Sequence, residues 1–107
     1  MIIIKNSSGE IRITEESIFQ FIKHEAVSCY GVASLMTDKN GKDDKSIKFT
    51  YDGKKADIEI HISVTYGLNI TAIVTNVEEK LINSVGNLTG ISVENVAVYV
   101  DSVNISE

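Results

Sequence analysis

The sequence predicts an α+β domain, a two-layer sandwich in which two helices cover one face of a mixed β-sheet. Two segments carry apolar residues at helical spacing, shorter segments alternate apolar and polar residues, and Asp52-Gly53 separates two of these alternating segments. Each helix has one apolar stripe and the sheet has one apolar face, so both helices are expected on the same side. The expected order is β-α-β-β-β-α-β, in a single domain that spans residues 1–107.

The first strand is predicted at Glu10–Ile13, and a helix follows it. Thr14 is a suitable N-cap, and two glutamates follow in the first turn, where the helix dipole favours negative charge. Gly31 marks the expected end of the helix, and a second strand is predicted at Val32–Thr37. Cys29 falls on the apolar stripe, so it is predicted to be a small buried side chain. The stripe consists of Ile18, Phe21, Ile22, Ala26 and Cys29.

A β-hairpin is predicted in the centre of the chain. A two-residue turn at Asp52-Gly53 would place Phe49 opposite Ala56 and Ile47 opposite Ile58. The second arm alternates as far as Tyr66, which predicts one face in the core and one face in solvent. The polar positions of this arm are Asp57, Glu59, His61, Ser63 and Thr65.

A second helix is predicted from Asn69 to Leu88, with Gly90 as its C-terminal stop. The last strand is predicted from Val93 to Val103, with alternate valines on one face. A strand–helix–strand connection is normally parallel whereas a hairpin is antiparallel, so the sheet is expected to be mixed.

The composition excludes several classes of protein. The chain is 43% hydrophobic and 23% charged, which is typical of a globular domain. A net charge of −5 without a basic stripe disfavours binding to nucleic-acid phosphates. No apolar run is long enough to span a membrane, and the stretch Asp38–Lys45 is expected to be a solvated loop. The one cysteine excludes an internal disulfide and fits a reducing cytosol.

Catalytic and metal-binding patterns are weak. Two histidines and one cysteine do not supply a converging metal-ligand set, and no phosphate-loop or dinucleotide motif implies a cofactor. One alternative is a small enzyme that uses His61 beside Glu59 and Ser63. Alternate residues of a strand lie about 6.6 Å apart, however, and nothing supplies an oxyanion hole. A second alternative is a KH-like nucleic-acid-binding domain, which the charge and the missing GxxG loop disfavour.

Several short segments together resemble one protein family. Gly31–Leu35 resembles the family's Gly-Val-x-x-Leu element, and Val64–Ile70 resembles its Val-x-Tyr-Gly-x-x-Ile junction. Thr89-Gly90 followed by Val96–Val100 is similar to its closing Thr-Gly and Val-x-Val-x-Val pattern, and Gly9–Ile11 matches its opening. The order and spacing of these segments resemble the alkaline shock protein family of Gram-positive bacteria, also called the envelope stress response family.

The resemblance implies a cytoplasmic, non-enzymatic interaction or scaffold protein linked to cell-envelope homeostasis or stress response, with no cofactor. It also implies self-association and protein partners, among them a small membrane-anchored protein. The charge and hydropathy of the chain separately predict no nucleic-acid binding and no direct membrane insertion. The chain departs from the family at Tyr30, where proline is usual, and it lacks the long charged tails of some members. No catalytic residues carry over. The candidate interaction surface is an adjacent strand edge or the polar positions Asp57, Glu59, His61, Ser63 and Thr65.

Overall fold

The structure, a computed structural model, describes residues 1–35 and 46–105. The α+β class and the predicted order of elements are confirmed, with one additional strand at the N-terminal end. The predicted loop at 38–45 lies outside the described residues. The elements are β1 (Ile2–Asn6), β2 (Gly9–Ile13), α1 (Glu15–Val27), β3 (Val32–Leu35), β4 (Ile47–Tyr51), β5 (Lys55–Thr65), α2 (Ile70–Thr89) and β6 (Ser92–Asn104).

β5 is the central strand of a mixed four-stranded sheet. β6 pairs with it in parallel along its whole length, from Lys55 opposite Ser92 to Thr65 opposite Asn104. β4 and β3 share the other edge of β5, and both are antiparallel to it. β1 and β2 form a separate antiparallel hairpin, so the first predicted strand pairs with β1 instead of joining the main sheet.

The β4–β5 hairpin has the predicted faces, but its predicted register is wrong. Phe49 pairs with Ile58 and Ile47 with Ile60, whereas the sequence placed Phe49 opposite Ala56. The register therefore differs from the prediction by two residues. Because side chains alternate with a period of two, each residue keeps its predicted face.

The turn of this hairpin is centred one residue later than predicted, on Gly53-Lys54. The Asp52 carboxylate accepts the backbone N–H groups of Lys54 at 2.9 Å and Lys55 at 3.0 Å, while the Asp52 N–H donates to the Lys55 carbonyl at 3.3 Å. Gly53 has φ +99° and is the first central residue of the turn. These N–H bonds lower the pKa of the Asp52 carboxyl below its ordinary value.

α1 begins after its predicted N-cap, and α2 begins one residue after its predicted start, with Asn69 as its N-cap. The Thr14 hydroxyl accepts the N–H of Ser17 at 3.1 Å, and the Asn69 side chain accepts the N–H of Ala72 at 3.1 Å. Gly90, with φ +75°, ends α2 in the left-handed conformation as predicted.

The C-terminal end of α1 differs from the prediction. The helix ends at Val27, before Gly31, and Cys29 lies beyond its last turn. Cys29 is therefore partly buried rather than fully buried. Its thiol lies 3.5 Å from the Glu25 carbonyl oxygen, and burial raises the pKa of that thiol.

The apolar core lies between the two helices and one face of the main sheet. The inward side chains of β5 are at most 2% exposed, which confirms that both helices cover one sheet face. Three large apolar residues at element ends are exposed and lie outside this core: Tyr66 at 67%, Ile70 at 42% and Leu88 at 57%. The helices contribute Ile18, Ile22 and Ala26 from α1, and Ile73, Val77, Leu81 and Val85 from α2.

Candidate functional site

The face of the main sheet that points away from the helices carries a continuous set of polar side chains, hereafter the polar face. Strand alternation places one residue in two on this side, and pairing brings outward positions of neighbouring strands together. It consists of Lys48 and Thr50 on β4, Asp57, Glu59, His61, Ser63 and Thr65 on β5, and Asn95, Ala97, Tyr99 and Asp101 on β6.

The five residues predicted for the interaction surface all lie in one row on β5, but they differ in exposure. Asp57 and Thr65 are exposed, and Glu59 and His61 are partly exposed. Ser63 is only 6% exposed, so the prediction that it faces solvent is wrong. It lies between β3 and β6, and its hydroxyl accepts a bond from the hydroxyl of Ser102 at 3.0 Å.

His61 is fixed in place by three neighbours on the polar face. Its Nδ1 donates to the Asp101 carboxylate at 2.8 Å, and its Nε2 lies 3.5 Å from a Glu59 carboxylate oxygen. Its ring stacks on Tyr99 with the ring centroids 4.6 Å apart and the planes 10° apart. The His61 side chain is 27% exposed, so part of this held ring is open to solvent.

This geometry does not assemble the Ser–His–Glu relay that the sequence left open. Both ring nitrogens of His61 face carboxylates, and the Ser63 hydroxyl is bonded to Ser102 instead. A general base must lie within hydrogen-bond reach of the group it deprotonates, and the described contacts do not bring His61 to Ser63.

The opposite end of the polar face forms a shallow groove of about 210 Å³. The Asn95 amide donates to the Asp57 carboxylate at 3.2 Å across the β5–β6 pair. At the rim, the Lys55 ammonium lies 3.3 Å from the Glu94 carboxylate, which raises the pKa of Lys55 and keeps it charged. The groove is lined mainly by Lys48, Thr50, Asp57, Glu59, Asn95 and Ala97.

Sequence reasoning missed the contribution of β6 to this site. Asn95, Tyr99 and Asp101 reach the polar face only because β6 pairs with β5 in parallel, about 40 positions away along the chain. Two signals were available in the sequence: the alternation of inward and outward residues along β6, and the expected parallel connection between β5 and β6. Placing the two strands side by side in parallel would have identified these three residues.

Within residues 1–35 and 46–105, no three histidine, cysteine or acidic side chains are grouped so that they could hold a metal ion. No helix in this part of the chain is sufficiently long and apolar to cross a membrane.

The fold and the polar face define a small α+β domain with an ordered, solvent-facing sheet surface. The model of the alkaline shock protein 23 family, described as having a cell envelope-related function, matches residues 3–105, and the chain belongs to this family. The chain is similar to the uncharacterized protein YloU of Bacillus subtilis (strain 168), with 26% identity over 114 residues covering 96% of this chain and 95% of that protein.

Solved structures of MamM CTD have a similar fold. A copper form has a TM-score of 0.56 at 15% identity, covering 87% of this chain and 90% of the other. A cadmium form of a variant has a TM-score of 0.54 at 17% identity, covering 88% of this chain and 100% of the other. At this level of identity the likeness shows the fold alone.

Proposed function

We propose that this protein is a non-enzymatic interaction module of the cell envelope. It self-associates, and it docks protein partners through the polar face. The observation that carries the proposal is the ordered cluster of His61, Tyr99 and Asp101 on an exposed sheet surface. Side chains that are already held in one conformation lose little entropy when a partner binds. The cell envelope-related role of the family supports this assignment.

The charge of the polar face indicates the chemistry of its partner. Asp57, Glu59 and Asp101 supply three carboxylates to this face. Among the described residues, Lys48 supplies one ammonium group, and Lys55 on β5 is already paired with Glu94. Acidic surfaces attract basic segments and increase their rate of encounter. We therefore infer that the docked segment carries lysine or arginine and that its binding weakens as the salt concentration rises.

We further propose that the protein works in the cytoplasm and is held near the membrane by a small membrane-anchored protein. The envelope-related role of the family supports a position close to the membrane. A basic segment next to the membrane anchor of such a partner would match the acidic polar face.

The test is a double charge reversal, Asp57→Lys with Glu59→Lys, followed by crosslinking in the native cell and purification of the tagged protein. The reversal is expected to reduce recovery of the partner by at least about tenfold, because like charges then face each other in the complex. The matched control is Glu78→Lys with Glu79→Lys, which makes the same change of charge on α2. Equal recovery from both double variants would exclude the polar face as the docking surface.

The same preparations separate the two alternative functions. A KH-like role requires RNA to copurify with the wild-type protein and to be lost at high salt. An enzyme that uses His61 requires His61→Ala to abolish the cellular phenotype while partner recovery stays unchanged. The interaction module predicts instead that His61→Ala reduces recovery and phenotype together, since it removes the ring that Asp101 and Tyr99 hold.

A further inference from the structure

The outer edge of β6 is long and unpaired in the part of the chain that the structure describes. β6 extends over 13 residues, and among residues 1–35 and 46–105 it pairs only with β5. An edge of this kind presents a row of backbone N–H and C=O groups that another strand can pair with. Proline and lysine are absent from β6, and its two charged residues and two register shifts lie outside the central residues 95–100.

The inner side chains of β6 are less buried than those of the strand beside it. Val96, Val98 and Val100 are partly exposed, whereas their partners on β5, Ile58, Ile60 and Ile62, are at most 2% exposed. One more strand beside β6 would extend the sheet and cover the three valines.

The sequence of β6 is nearly symmetric about Val98. Valines occupy positions two and five residues away on both sides: Val96 and Val100, then Val93 and Val103. One register shift with β5 lies on each side of Val98, so these valines share the inner face despite their odd spacing.

We propose that a second copy of this chain pairs with the outer edge of β6, antiparallel and with the two-fold axis at Val98. This inference rests on the self-association proposed above and assigns a surface to it. In this register Val96 lies opposite Val100 of the second copy, so apolar side chains face each other on the inner side. A two-fold axis between the two Val98 residues generates a closed dimer with one interface.

The polar side of this pairing is also complementary. Ala97 lies opposite Tyr99 of the second copy, so a small side chain faces a large one. Asn95 lies opposite Asp101, which matches an amide donor to a carboxylate acceptor, and Glu94 lies opposite Ser102. The two strands place no charged residue directly opposite another charged residue, although each copy carries a net charge of −5. The two polar faces then form one continuous surface across both copies.

The first test measures the dimer dissociation constant by sedimentation equilibrium for the wild-type protein, Val98→Lys and Val98→Ile. Val98→Lys places two ammonium groups beside each other at the axis and is expected to weaken dimerisation at least about tenfold. Val98→Ile keeps the apolar contact and should change the constant less than about threefold. If Val98→Lys dimerises as well as the wild-type protein, the β6 interface is rejected.

A second test does not depend on the folding of the lysine variant. Single spin labels are placed at Asn95→Cys or Asn104→Cys in a Cys29→Ser background, and the distances between the two copies are measured by pulsed electron resonance. Asn95 and Asn104 lie three and six positions from Val98, so the two copies of each label are separated by about six and about twelve residues along the paired strands. At about 3.4 Å per residue, the expected distances are about 20 Å for position 95 and about 40 Å for position 104. If the wild-type protein sediments as a dimer but the labels give two other distances, this interface is rejected and self-association stands. If the wild-type protein sediments as a monomer at all concentrations, both the interface and self-association are rejected.

Discussion

Gly31, in the Gly-Val element after α1, is the position where one added methyl group should affect the fold most clearly. Its φ is +92°, a conformation in which a side chain is strained. A Cβ atom there would lie 2.6 Å from both Cγ1 and Cδ1 of Ile73, and 3.3 Å from Cδ1 of Leu68. Ile73 is 3% exposed, so the surrounding core restricts its movement.

Two costs are expected for Gly31→Ala. The left-handed backbone costs an alanine about 1–2 kcal/mol, and overpacking a core contact costs about 1–3 kcal/mol. The variant should therefore lose about 2–5 kcal/mol of unfolding free energy, a large part of the stability of a small domain. Gly67 is the matched control, because it has the same φ of +92° and no atom within 4 Å of an added Cβ. Gly67→Ala should lose only the backbone part.

Urea denaturation followed by circular dichroism gives both free energies. Ile73→Ala removes the two closest atoms, so Gly31→Ala should cost about 1–3 kcal/mol less in that background than in the wild-type protein. Equal losses for Gly31→Ala and Gly67→Ala would refute the packing argument, and so would additivity of Gly31→Ala with Ile73→Ala.

Three further predictions concern the core, the hairpin turn and the thiol. Leu81→Ala, at a position 0% exposed, should cost about 2–5 kcal/mol in urea denaturation, whereas Leu88→Ala, at 57% exposed, should cost about 0.5 kcal/mol or less. The pKa of the Asp52 carboxyl is lowered in the folded protein, so its ionised form stabilises the fold above the ordinary carboxyl pKa of 3.8, and this effect is lost as the pH falls through the lower folded pKa. Asp52→Asn should therefore make the melting temperature fall less steeply as the pH is lowered in the acid range. An unchanged dependence of the melting temperature on pH would contradict this. Burial raises the pKa of Cys29, so a thiol reagent at pH 7 should label the native protein much more slowly than the urea-unfolded protein; equal rates would show an accessible thiolate.

Local signals were sufficient to predict both helices, apart from the C-terminal end of α1. Thr14 and Asn69 accept N–H bonds as N-caps, and Gly90 ends α2 in the left-handed conformation. These interactions involve neighbours within four residues, so the sequence contains all the information needed. The inner and outer faces of β5 were predicted for the same reason, since they depend only on alternation.

Features that depend on side-chain competition or on pairing were harder to predict. The hairpin register was wrong because Asp52 bonds the N–H groups of Lys54 and Lys55 instead of occupying the turn centre. β1 was missed because three successive isoleucines, Ile2–Ile4, show no alternation. The His61 cluster depends on the parallel register between β5 and β6, which no local pattern specifies.

The most direct test of the central claim is a photo-crosslinking amino acid placed at position 59 on the polar face, with position 79 on the outer side of α2 as the control. Irradiation of native cells should yield a discrete protein adduct from position 59, because a docked partner lies within reach of the Glu59 side chain. Position 79 should yield little of the same adduct. Crosslinking from position 79 alone, or no adduct from position 59, would contradict docking through the polar face.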